Sequence, residues 1–202
     1  MRQMSKPVIV EWQPRWPDEY AEIHGRLVAS FGDLALAIEH VGSTSIPGMA
    51  AKDVIDIQVS VASLEPQEPI ASALSDAGFA ETPFGLLADD HIPPGWYTHT
   101  PGDVWIKLFA SAPRDARRVH VHVRVAGSPN ERYALPFRDF MRAHPDARDA
   151  WAIFKRELAK ICDDVQDYVE VKDPATDVVM VTAERWAADT GWTPYRGGAE
   201  TA

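Results

Sequence analysis

Three short pieces of this chain carry residue types that could act together: Gly42-Ser43, Asp56, and the pair His120 and His122. Asp56 lies in VIDIQVSV, where Ile55, Ile57, Val59 and Val61 alternate with Asp56, Gln58 and Ser60. Period-two alternation assigns the first set to a buried strand face and the second to the opposite one. A carboxylate in mid-strand is costly unless it is solvated, hydrogen-bonded or bound to a cation. Glycine at a turn lets backbone N–H groups approach an oxyanion, and the serine hydroxyl adds a donor. A phosphate cradle followed by a strand carboxylate can hold a nucleoside triphosphate and its divalent metal together.

VHVHVRV, Val119 to Val125, repeats the alternation, with His120, His122 and Arg124 on the face opposite the valines. Two imidazoles at that spacing can reach one cation together with a facing Asp56. Mg²⁺ or Mn²⁺ is the first expectation for the metal, and the imidazoles admit Zn²⁺. One histidine, His122 in the leading assignment, could instead serve as a general base. Gln58 is neutral and cannot be the second acid of a two-metal site. Ser45, in the same loop as Ser43, and the cations Lys52, Lys107 and Arg117 complete the candidate phosphate contacts. Each of these residues also has an ordinary use. A Gly-Ser pair is most often a turn, an aspartate can cap one, histidines can line a solvated sheet face, and lone cations are usually surface charges. Trp96 is the one tryptophan placed to stack on a base.

These pieces must be positioned by an α/β scaffold. Tyr20, Ile23, Leu27 and Phe31 recur at helical spacing, with Asp18 as a cap. Leu34 to Val41 reads as the strand delivering Gly42-Ser43, and Val54 to Val61 as the next. A helix with Ile70, Ala73, Leu74 and Ala77 on its buried side ends at Gly78. Residues 80–103, rich in Pro, Gly and His, read as a strand end and a long lid or binding loop. Val104 to Ala110 alternates again. Asn130 to His144 is expected to be a helix interrupted near Pro136. A second helix from Pro145-Asp146 carries Trp151, Phe154, Leu158, Ile161, Val165 and Tyr168 as one stripe, and a third helical segment spans about 175–188. The fold class is therefore α/β (α+β): a mixed sheet with helices on one face, its other face lining a wet cleft, and a C-terminal helical extension. The expected division is 1–128 for the core, 129–190 for the helices and 191–202 for a flexible tail.

The net charge of −10 excludes a general nucleic-acid binder, which needs a basic footprint. A single cysteine, Cys162, allows no internal disulfide and no cysteine-built metal site. No apolar run reaches a membrane span and the N-terminus lacks a signal peptide's apolar core, so the cytoplasm is the expected compartment.

The stretch HVGSTSIPGMAAKDVIDIQV closely resembles the signature of the GrpB-like family. A second block agrees with it: R-x-x-H-V-H-V at Arg117–Val123, Gly127-Ser128, and LPFRDFMRAHP at Leu135–Pro145. Leu158-Ala159, Tyr168 and Lys172 follow in order, so the resemblance runs to about residue 187. Asp53 stands where the family usually has proline. The family is similar to nucleotidyltransferases of the polymerase-β type, which carry a Gly-Ser turn, an acidic-hydrophobic-acidic strand and a third acid on a later strand. Gly42, Ser43 and Asp56 match that pattern. Gln58 departs from the second acid, and His120 and His122 stand where the third would be. The resemblance implies an enzyme that binds a nucleoside triphosphate and a divalent cation and transfers a nucleotidyl group to a small acceptor. A non-catalytic nucleotide- or coenzyme-binding module of the same fold is the alternative, and a metal-dependent hydrolase a third.

Overall fold

The computed structural model describes residues 6–79, 87–93, 105–113 and 115–194. Helix α1 (Arg15–Phe31) leads through a 3-10 turn into strand β1 (Ala35–Val41), and a second 3-10 turn at Ser43–Ser45 precedes β2 (Ile55–Val61). Helix α2 (Gln67–Asp76) follows, then β3 (Leu87–Asp89), β4 (Ile106–Ser111) and β5 (Val119–Val125), and finally α3 (Pro129–Ala143), α4 (Pro145–Ile161) and α5 (Val165–Thr190). The sheet order is β1-β2-β5-β4-β3. Strands β2 and β5 are parallel and every other neighbouring pair is antiparallel, so the sheet is mixed, as expected.

The alternating valines and isoleucines of β2 and β5 meet Ile23, Leu27 and Phe31 of α1 and Ile70 and Leu74 of α2 in the main core. Burial of side chains of this size, each contributing roughly 1.5–3 kcal/mol, fixes which face of each strand points inward. Parallel pairing then sets Asp56 beside His120, Gln58 beside His122 and Ser60 beside Arg124 on the opposite face.

That opposite face is not wet along its length. Gln58 is 0% and Ser60 1% exposed, because the N-terminal turn of α3 lies over them. Ser60 Oγ donates to Glu131 Oε1 (2.7 Å), and Gln58 Nε2 donates to the Glu131 carbonyl oxygen (3.0 Å). Arg124 Nη1 donates to Gln58 Oε1 (2.6 Å), while Arg124 Nε pairs with Asp90. Among the described residues, the end carrying Asp56 and His120 lines a cleft.

Several boundaries differ from the sequence reading. Helix α1 begins a turn early, so Asp18 lies in its first turn instead of capping it; no side chain caps that end. Part of the stretch assigned to a loop is β3, too short for periodicity to reveal and held by its register with β4. Helix α3 runs unbroken through Pro136, which is itself buried between packed neighbours. The stripe assigned to one helix belongs to two. Cys162 turns to extended backbone, and the Asp164 carboxylate accepts from the N–H groups of Gln166 and Asp167, starting α5 at Val165. Trp96, Val104 and the last eight residues of the expected tail lie outside the described residues.

A second core joins the loop after β1 to the C-terminal helices: Ile46, Met49 and Ala50 pack with Phe140, Met141, Trp151 and Met180. Arginines from α3 and α4 donate to carbonyls of the same loop, Arg142 to Ser45 (2.7 Å) and Arg148 to Pro47 (3.0 Å). The C-terminal helices therefore hold the turn that follows β1.

Candidate functional site

Gly42 ends β1 with φ 70° and ψ −173°. A Cβ there would lie 2.6 Å from Asp56 Oδ2, so only glycine fits between the turn and that carboxylate. The next residues close on themselves. Ser45 Oγ donates to the Gly42 carbonyl (2.6 Å), and Thr44 Oγ1 donates to the Val54 carbonyl (3.0 Å). Since the Thr44 proton is committed, His40 Nε2, 3.0 Å from Thr44 Oγ1, is assigned as the donor. Burial pushes the His40 ring down to about 4 and keeps it neutral, stacked on Tyr20 at 4.6 Å.

Asp56, His120 and His122 do converge. His120 Nδ1 lies 3.1 Å and His122 Nε2 3.8 Å from Asp56 Oδ1, and one donor atom from each of the three falls within 4.8 Å of the others. Burial alone would raise the Asp56 carboxyl, but the two imidazoles beside it, His120 first, outweigh burial and hold it well below the usual carboxylate range. Burial pushes His122 down to about 4. Its Nδ1 is buried with no hydrogen-bond partner among the described residues.

A cavity of about 250 Å³ opens beside this cluster. Gly42, Ser43, Lys52, Asp56 and His120 line it together with Lys155 of α4 and Tyr168 and Lys172 of α5. Lys155 is 2% exposed and its Nζ donates to Ser43 Oγ (2.9 Å). Burial, with Lys172 and Lys52 adding repulsion, pushes its ammonium down to about 7. Burial also lowers Lys52, whose Nζ sits 5.3 Å above the Tyr168 ring.

Three expected phosphate contacts are elsewhere. The Lys107 ammonium is spent on Asp90 (2.6 Å). Arg117 turns toward α1, pairing with Glu19 (2.9 Å) and Asp53 (2.7 Å), because the residues before β5 lie against that helix. Asp53 also receives Arg15 and the Trp16 indole, so it fastens the start of α1 to the loop before β2. Ser45 is buried, its hydroxyl closing the turn and its carbonyl engaged by Arg142. Lys155 was missed, although a signal existed. It occupies a position on the apolar stripe of α4, between Trp151 and Leu158, where a lysine is out of place unless it meets something polar.

The second-acid position has a structural occupant. A carboxylate at 58 would still accept from Arg124 but could not donate to the Glu131 carbonyl, and it would place a charge beside Glu131. Gln58→Glu is therefore expected to lower the unfolding free energy by about 2 kcal/mol at pH 7 without creating a second cation site. Urea denaturation checks this, and an unchanged midpoint would mean that the amide's bond to the Glu131 carbonyl contributes nothing.

The profile of the family described as GrpB protein matches residues 6–181. A Mycolicibacterium paratuberculosis protein named dephospho-CoA kinase is 38% identical over 206 residues, covering 96% of this chain and 50% of that protein. The Bacillus subtilis UPF0157 protein YqkA is 32% identical, covering 90% and 48%. The chain spans about half the length of these two curated relatives. The Streptomyces coelicolor UPF0157 protein SCO7215 is 32% identical, covering 88% of this chain and 83% of its own length. The crystal structure of the conserved protein GrpB from Enterococcus faecalis superposes with a TM-score of 0.67 at 23% identity, covering 92% of this chain and all of that one, and so shares the fold. With its mixed sheet, its Gly-Ser turn and the profile running from residue 6 into α5, the chain belongs to the GrpB family, within the nucleotidyltransferase-like superfamily.

Proposed function

We propose that the cleft binds a nucleoside triphosphate with a divalent cation and transfers a nucleotidyl group to a small acceptor. The observation carrying this reading is the meeting of two clusters at one cavity: Asp56 and His120, with His122 beside them, on the sheet, and Ser43, Lys52 and Lys155 around the turn and α4. One carboxylate and two imidazoles fit Mn²⁺ or Zn²⁺ better than the all-oxygen preference of Mg²⁺. The fit is supported by the lone Oδ1 oxygen on which both rings converge. A cation held there would supply Lewis-acid polarisation of a phosphoryl oxygen. The chain's own groups do the rest. Lys52, Lys155 and Lys172 neutralise phosphate oxygens, and Gly42 allows the turn to lie against Asp56. His120 faces the cavity, whereas the half-buried, neutral His122 is suited to ligation more than to proton transfer.

A second reading, a binding module without turnover, is favoured by Gln58. The strand offers one carboxylate, and the position of the second is occupied by an amide bonded at both ends. The name of the kinase relatives points such a module toward a coenzyme-type ligand. The deciding experiment incubates the protein with each nucleoside triphosphate, Mn²⁺ or Mg²⁺, and a panel of small hydroxyl and amino acceptors, following pyrophosphate. Acceptor-dependent release supports transfer; tight binding of a nucleotide with no release across the panel selects the module.

A further inference from the structure

The lysines around the cavity, Lys155 of α4, Lys172 of α5 and Lys52 of the loop before β2, carry more positive charge than the protein itself balances. Lys155 is almost wholly buried, and its hydrogen bond goes to a neutral hydroxyl. Lys52 is set over a ring. Among the described residues neither lysine pairs with a carboxylate, while Lys172 pairs with its neighbour Asp173 (2.6 Å). A buried ammonium without a counter-ion is unfavourable unless an anion completes the site. This concentration of lysines stands in a chain whose net charge is −10.

The rest of the cavity has a different chemistry. Phe137 and Trp151 meet edge to face at 5.8 Å and, with Tyr133, also line the cavity. Flat aromatic walls suit a ring or an apolar arm. A ligand matching both parts carries a phosphoryl group, with several acceptor oxygens for several donors, on an apolar or aromatic body.

We propose that Lys52, Lys155 and Lys172 form a metal-independent seat for the phosphate of a nucleotide-like ligand, whose body lies against Tyr133, Phe137 and Trp151. Ligand capture then belongs to the C-terminal helices, and the Asp56 cluster acts on a molecule already held. The depressed ammonium of Lys155 agrees with a site that gains when an anion arrives. Only the choice of a nucleotide as the ligand rests on the function proposed above.

The test is isothermal titration of ADP, inorganic pyrophosphate and adenosine into the full chain at pH 7 in EDTA. ADP and pyrophosphate are expected to bind, and adenosine to bind far more weakly. Lys155→Met and Lys172→Met should each weaken ADP by roughly tenfold to a hundredfold, since each removes a charged hydrogen-bond donor. Lys160→Met, at an exposed lysine paired with Glu157, should leave ADP binding unchanged. Circular dichroism establishes that each variant is folded, and two lysines on different helices keep the test valid if one variant is not. Binding of ADP that needs added metal, or that both lysine variants retain in full, overturns the seat and leaves the transferase reading standing. Binding that follows the lysines in a protein that never releases pyrophosphate supports the seat and rejects the transferase.

Discussion

Asp56→Ala is expected to abolish binding of a divalent cation and to reduce any nucleotidyl transfer by at least about a thousandfold. The carboxylate is the only anionic donor in its cluster, and the two imidazoles are held around its Oδ1 oxygen. Without it, a cation would face two imidazole rings close to lysines. Because the carboxyl is held far below its ordinary range, it stays ionised wherever the protein is folded, and the effect should not depend on pH near neutrality. Mn²⁺ titration followed by electron paramagnetic resonance reads this directly: about one ion bound per wild-type chain and none to the variant. Equal Mn²⁺ uptake by both proteins would reject the metal centre.

The second large effect concerns Lys155 and pH. Its ammonium is pushed down to about 7, from an ordinary value near 10.5 that the unfolded chain retains. Below pH 7 both states carry the proton, and the folded state bears the full cost of a buried charge. Between pH 7 and about 10.5 the folded state loses the proton first, the unfolded state binds more, and stability from this group rises with pH by about 1.4 kcal/mol per unit. Lys155→Met is expected to be more stable than wild type by a few kcal/mol at pH 6, with the gap closing toward pH 10. Urea midpoints of the two proteins across that range decide it. A gap that stays constant, or one that widens with pH, would contradict the placement of Lys155.

Much of the scaffold was legible because local alternation is a strong signal. The valines of β5 and the isoleucines of β2 announced one buried face, and parity alone put Asp56, His120 and His122 on the other. What the residues could not announce was which part of that other face a helix would cover. Gln58 and Ser60 looked like members of a wet surface, yet their partner Glu131 comes from far along the chain. Lys107 and Arg117 were misplaced for the same reason: a cation's destination depends on the carboxylate it meets, and Asp90, Glu19 and Asp53 are brought to them by tertiary packing. Lys155 is the converse case. Its position on an apolar stripe was visible, but its meaning required the turn at Ser43 to lie opposite.

The turn after β1 is both a wall of the cavity and, through Ile46, Met49 and Ala50, a plug driven into the helical half of the molecule. Damage to the interior of the C-terminal half would accordingly show up first as a failure to retain ligand, in protein that still looks intact by bulk measures. Selection for tight ligand retention and selection for a well-filled interior would then act on the same few side chains.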